Sequence, residues 1–138
     1  MIMKIVLDEN AYMPTKAHFE DAGFDLYSPI SIVVPKGGYV SIDTGVHIQI
    51  PSGMVGFLKS KSGLNVKHSI LSEGVIDSGY TGSIIVKLYN HSDTDYIIEK
   101  GNKITQIVFL PIPSITLKQV KSIEDSSRGD NGFGSSGK

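Results

Sequence analysis

The chain has 138 residues, 40% of them apolar and 20% charged, with a formal net charge of -1, which suits one ordinary globular domain with a modest core. No excess of positive charge favours a nucleic acid and no apolar run is long enough to span a bilayer, so neither nucleic acid nor membrane is expected as a partner. The absence of cysteine excludes disulfides, thiolate nucleophiles and zinc sites built on sulfur, the four histidines show no ligand spacing, and with no leader-like N-terminus the cytoplasm is the default location.

Short runs rich in Val, Ile and Tyr follow one another along the chain. Met3 to Leu7, Ile30 to Val34 and Val46 to Ile50 come first, and Ser83 to Tyr89, Ile104 to Leu110 and Ile115 to Val120 come later. Several alternate apolar with polar side chains, the period of a half-buried strand. The separators Pro35-Lys36-Gly37-Gly38, Asp43-Thr44-Gly45, Pro51-Ser52-Gly53 and Glu99-Lys100-Gly101-Asn102 supply Gly or Asn where a turn needs positive φ. Only the stretch from Ser62 to about His68 lacks this alternation and can hold a helix of more than a turn, its serine standing where backbone N–H groups are free. Many short strands with turn punctuation predict an all-β sandwich or jelly roll. From Ser122 onward almost nothing could join a core, so the chain divides into a β-domain at 1–121 and a flexible glycine-rich arm at 122–138.

Two segments can carry chemistry. In the arm, Arg128 and Phe133 stand among glycines and serines. That composition suits a solubilising tail, and it also suits a clamp in which glycine N–H groups approach an anion, Arg128 supplies a forked cation and Phe133 stacks on a base. In Gly74-Val75-Ile76-Asp77-Ser78-Gly79-Tyr80-Thr81-Gly82, the acid either caps its own turn or takes a proton from water.

Five segments occur together and in order: Ala22-Gly23-Phe24-Asp25-Leu26, Lys61-Ser62-Gly63-Leu64, Gly74 to Gly82, Gly101-Asn102-Lys103-Ile104-Thr105-Gln106 and Arg128 to Gly137. This series resembles the five motifs of the homotrimeric dUTPase family, over nearly the whole chain. The resemblance implies a jelly-roll-like β-barrel, three active sites shared between the subunits of a homotrimer, magnesium as cofactor, and hydrolysis of dUTP to dUMP and pyrophosphate. Such an activity keeps uracil out of DNA and supplies dUMP for dTMP synthesis.

Carried over residue by residue, the resemblance makes Asp77 the base that activates water for attack on the α-phosphorus. It places Tyr80 beneath the deoxyribose, leaving no space for a 2′-hydroxyl, and Gly74, Val75, Ile76 and Ile85 at the edge of uracil. Lys61, Ser62, Gly63 and Gln106 would hold phosphates, and Arg128, Gly134, Ser135 and Ser136 would close on the γ-phosphate while Phe133 stacks on the base. Asp25 would face magnesium through a coordinated water. The family has arginine where this chain has Lys61, a point charge without the bidentate fork. Asn102 and Lys103 also depart from its pattern and are expected to fix their turn, while Glu73 stands beside the hairpin glycine with its direction open. Two alternatives are a regulatory protein that uses this scaffold to bind a protein partner, and a dCTP deaminase. The latter needs an acid on the strand after the hairpin, and Ser83 to Asn90 has none.

Overall fold

The computed structural model describes residues 1–137, and the last residue of the arm, Lys138, lies outside the described residues. Eleven strands and one helix are present among them: β1 (Ile5–Leu7), β2 (Gly23–Tyr27), β3 (Ile32–Val34), β4 (Tyr39–Asp43), β5 (Val46–Ile48), β6 (Met54–Lys59), α1 (Ser62–His68), β7 (Ile70–Leu71), β8 (Glu73–Ile76), β9 (Ile85–Asn90), β10 (Tyr96–Ile98) and β11 (Lys103–Pro111). The fold is all-β and jelly-roll-like, as the turn-punctuated sequence predicts. Its main layers are a four-stranded sheet, ordered β2-β11-β6-β8, and a three-stranded sheet, ordered β4-β9-β7; the pairs β1-β5 and β3-β10 complete the walls.

The alternation seen in the sequence is realised in β9. Val86, Leu88 and Asn90 point inward and are buried, while Ile85 and Tyr89 point outward and Lys87 is half-buried. The inner side chains meet Leu26, Leu58 and Ile107 of the larger sheet in one apolar cluster. Burial of such side chains removes each from water and stabilises the fold by roughly 1.5–3 kcal/mol per residue. Asn90 is the polar exception, and its side-chain amide is satisfied by donating to the carbonyls of Val34 and Thr94 at 3.0 and 2.9 Å.

Helix α1 spans the residues that the sequence predicts. It ends at Ser69, whose left-handed backbone (φ 56°) turns its N–H back onto the carbonyls of Leu64 and Asn65. The strand expected at Ile115 to Val120 does not form. Strand β11 ends at Pro111, and from there Ile112, Ile115, Leu117, Val120 and Ile123 lie exposed, Leu117 by 93%. A strand needs a neighbour for its backbone groups, and within a single chain this segment has none among the described residues.

We expect Leu88→Ala, which empties the centre of this cluster, to lower stability by about 2–5 kcal/mol. Urea unfolding at a fixed protein concentration measures the loss.

Candidate active site

Strand β11 lies between β2 and β6, with β8 on the far side of β6. One transverse row of the sheet therefore reads Asp25, Gln106, Lys59 and Glu73. Cross-strand partners share a face, so four segments far apart in sequence present their polar side chains side by side.

Asp25 is only 4% exposed, and a buried carboxylate needs charged partners. Lys61 donates to its Oδ1, and the Lys103 ammonium lies 3.2 Å from Oδ2. Lys103 reaches it because of a bulge. The register of β11 against β2 slips between Lys103 and Thr105, which leaves Ile104 as the extra residue and pairs Lys103 with Tyr27. Tyr27 and Asp25 lie on the same side of β2, so the slip turns Lys103 to the side of Asp25. The expectation that Lys103 merely fixes its turn is corrected by this geometry. Asn102 alone has that role, its Oδ1 accepting the N–H of Glu99 at 2.8 Å. The hydrogen bond from Lys103 to Asp25, together with the charge of Asp25, raises the lysine's pKa.

Gln106 donates from Nε2 to the Ser60 carbonyl at 3.1 Å, and its side chain lies across Gly23. A Cβ at Gly23 would stand 2.6 Å from Gln106 Oε1, so the glutamine amide would have to shift to admit one. Lys61 is the N-cap of α1 and makes no side-chain cap, so Ser62 is the first helical residue rather than the cap, and the exposed Ser62 and Gly63 open the helix. Glu73 turns along the row to Lys59, Nζ to Oε1 2.7 Å, in a pair open to solvent.

The second part of the site is a gap. Strand β8 pairs only with β6, and β9 pairs with β4 and, at its far end, with β7. No ladder joins β8 to the start of β9 among the described residues, so two strand edges face each other across a pocket of about 200 Å³ lined by Val75, Ile76, Asp77, Tyr80, Ser83 and Ile85. On its other side β8 packs against β6, where Gly74 faces Leu58, whose Cδ1 would lie 3.0 Å from a Cβ at that position.

The turn closing this gap is tightly specified. Tyr80 N–H donates to the Asp77 carbonyl at 3.2 Å, Gly79 supplies the positive φ of 84°, and Tyr80 hydroxyl donates to the Ser83 carbonyl at 2.8 Å. The tyrosine ring thus folds back over Gly82, where a Cβ would clash with its hydroxyl. Ser83 donates its hydroxyl to Asp43, and Asp43 also accepts the Gly45 N–H at 2.9 Å. These two hydrogen bonds, that of Ser83 first, hold the Asp43 carboxyl below its ordinary pKa.

The pocket brings together Asp77, Tyr80, Val75, Ile76 and Ile85 of the residues named from the sequence, while Gly74 does not line it. It adds Ser83 and its partner Asp43, as well as the steric role of Gly82. The Asp43-Thr44-Gly45 signal marks a turn and gives no hint of a partner forty residues on. Lys61, Ser62, Gly63 and Gln106 lie outside this pocket. The arm is apart from both places: Arg128 Nε donates to the Asn131 carbonyl at 2.6 Å, the other hydrogen bonds of residues 126–137 are equally local, and Phe133 is fully exposed. Arg128, Phe133, Gly134, Ser135 and Ser136 therefore do not approach the pocket within this chain.

An all-β domain that offers open strand edges beside a carboxylate, and two ammonium groups around a single buried acid, has the makings of a nucleotide phosphate site. Comparison with known proteins narrows this class. The dUTPase family model matches residues 9–137. The deoxyuridine 5'-triphosphate nucleotidohydrolase of Clostridioides difficile is 41% identical over 134 residues, covering 95% of this chain and 94% of that protein. A probable enzyme of the same name from Schizosaccharomyces pombe is 42% identical, covering 95% and 94%. The solved structure of Staphylococcus bacteriophage 80alpha dUTPase with dUpNHpp superposes with a TM-score of 0.91 at 34% identity, covering 99% of this chain and 98% of that one. A dUTPase mutant from phage phi11 of S. aureus, whose structure describes the coordination of a structural Mg(II) ion, superposes at 0.83 with 30% identity, covering 91% and 100%. The chain belongs to the dUTPase family.

The contact between Gly82 and Tyr80 gives a local prediction. Gly82→Ala should leave the fold intact but displace the Tyr80 ring and break its bond to the Ser83 carbonyl. A crystal structure of the variant with Tyr80 unmoved would contradict this packing.

Proposed function

We propose that this chain hydrolyses dUTP to dUMP and pyrophosphate, and the observation that carries the reading is the gap between β8 and β9 with Asp77 and Tyr80 at its end. Two unpaired strand edges present alternating backbone donors and acceptors, and a uracil edge offers the matching acceptor, donor and acceptor. Val75, Ile76 and Ile85 make the walls, and the narrow space excludes a thymine methyl. The Tyr80 ring lies beneath the sugar and rejects a 2′-hydroxyl by contact. Asp77 takes a proton from water as that water's oxygen bonds to the α-phosphorus, while the bond from the α-phosphorus to the bridging oxygen breaks and pyrophosphate leaves.

Phosphates belong with Lys61, the N–H groups of Ser62 and Gly63, and Gln106. Lys61 and Lys103 outnumber the one carboxylate between them, which leaves this locus net positive. Asp25 engages each oxygen with a single lysine and keeps lone pairs free. Asp25 would hold magnesium through water beside the bound phosphates, and the ion would supply charge neutralisation at the leaving group.

Assembly follows from what one chain lacks. The pocket with Asp77 does not include Lys61 or Gln106, the arm touches neither place, and an apolar stripe from Ile112 to Ile123 is uncovered. A homotrimer in which each site draws on different subunits accounts for all three. The arm, residues 122–138, then closes a neighbour's site, with Arg128, Gly134, Ser135 and Ser136 on the γ-phosphate and Phe133 over the base. Among the described residues no helix is long and apolar enough to cross a membrane; the cytoplasm is proposed separately, because an enzyme of this activity would serve the nucleotide pool there.

Pyrophosphate release measured side by side for dUTP, dTTP, UTP and dCTP tests the reading. Strong preference for dUTP is expected, and comparable turnover of UTP would remove the role given to Tyr80. Asp77→Asn should keep nucleotide binding and lower turnover by roughly 10²–10⁴-fold, the range for a lost general base. Truncation before Ser126 should spare the assembly and its Tm while lowering turnover heavily, and limited proteolysis should find the arm protected by a non-hydrolysable dUTP analogue.

A further inference from the structure

The turn that carries Asp77 and Tyr80 is gripped from the body of the protein by a histidine that the mechanism above does not use. His47 lies on β5, opposite Val6 of β1. Its Nδ1 is 2.8 Å from the carbonyl oxygen of Thr81, and its Nε2 is 3.0 Å from both carboxylate oxygens of Asp8. Thr81 is the residue after Tyr80. Beyond it the chain is stitched down by its backbone, for Ile84 N–H donates to the Val46 carbonyl at 2.9 Å and Thr44 donates from both N–H and hydroxyl to the Ile84 carbonyl. Among the described residues, the imidazole is the side chain of the sandwich that hydrogen-bonds the turn between Asp77 and Ser83, and Asp43 holds Ser83 itself.

Both ring nitrogens face acceptors. A neutral imidazole has one N–H and one lone pair, so either tautomer would turn a lone pair on the Thr81 carbonyl or on the Asp8 carboxylate. The arrangement as it stands is complete only for the imidazolium, which donates in both directions.

We propose that Asp8 and His47 form a positioning pair for dUTP hydrolysis: the imidazolium, anchored by Asp8, holds the Thr81 carbonyl and so fixes the turn that presents Asp77 and Tyr80. This rests on the reading of the activity given above. The pair touches no substrate and acts through the turn. The charged groups around the ring are Asp8 at the end of β1, Asp43 at the end of β4, and Lys4 of the N-terminal segment, which lines the same shallow depression. The hydrogen bond to the Thr81 carbonyl, then that to Asp8 and the charges of Asp8 and Asp43, raise the imidazole pKa, with partial desolvation opposing them. The folded value lies above the ordinary one, so the grip is complete below about 6.5, the usual histidine value, and is released as pH rises through the raised folded value.

The experiment follows dUTP turnover from acid to alkaline pH for the wild type, His47→Ala, His47→Gln and Asp8→Asn, beside NMR titration of the His47 ring nitrogens in the wild type. The wild-type kcat should fall in step with deprotonation of His47. His47→Ala should lack that step and lose roughly tenfold or more in kcat, since a displacement near 1 Å in a catalytic group costs up to about 10²-fold. KM should change little, because the strand edges that read the base are untouched. His47→Gln should also lack the step, and Asp8→Asn should keep it but move it to lower pH, because the carboxylate that favours the cation is gone. A stably folded His47→Ala or His47→Gln with wild-type kcat and an unchanged pH profile overturns the pair's role while leaving the activity standing. A wild-type protein without dUTP turnover at any pH overturns the activity, and this role with it.

Discussion

Strand β11 is the member on which the other parts of the molecule depend. Its two ladders fix the offsets of β2 and β6, and through β6 that of β8, so a change in its register would redistribute every polar group on that face of the sheet. The single irregularity in it is equally consequential. With Ile104 as the extra residue, both Ile104 and Thr105 are buried, and Thr105 satisfies its hydroxyl on the Lys59 carbonyl and on Ser72. An unbroken ladder would have left Lys103 on the opposite side and Asp25 with a single cation.

The two halves of the site solve opposite problems. Around Asp25 the difficulty is a buried charge, met by packing ammonium groups against it. Beside β8 the difficulty is unpaired backbone, and here the protein leaves the edges open rather than zipping β8 to β9. Open edges are ordinarily a hazard for pairing with another chain. This pair is short, and the turn above it bears exposed polar groups at Asp77 and Ser78.

Much of this was legible in the sequence, for identifiable reasons. Helix α1 could be read because Ser62 to His68 breaks the strand period, and the inner face of β9 because that period is strict. The ordered series of glycine-centred segments led to the family, and it named Asp77, Tyr80 and Ile85, which line one pocket in the structure. The aim of Lys103 was not legible, since a register slip reverses a side chain without leaving a mark in composition. Nor was the direction of Glu73, which depends on having Lys59 as its cross-strand neighbour. Ser83 and Asp43 meet only because β4 and β9 pair with Asp43 opposite Ile85. The run from Ile115 to Val120 shows the converse: the alternating pattern is there, but no strand forms, because a pattern cannot provide the neighbouring backbone that a strand needs.

The pairing of two ammonium groups with one carboxylate has a consequence for how the protein behaves in different buffers. A locus with surplus positive charge attracts small oxyanions, so on the placement of the triphosphate proposed above, sulfate, inorganic phosphate and the pyrophosphate product would compete for the same position. The attraction is also screened as salt is added, over a Debye length that shrinks from about 10 Å at 0.1 M to 3 Å at 1 M. On that placement, apparent affinity for a triphosphate would be a property of the medium as well as of the protein, and values taken in phosphate and in chloride would differ for reasons that lie at Asp25, Lys61 and Lys103.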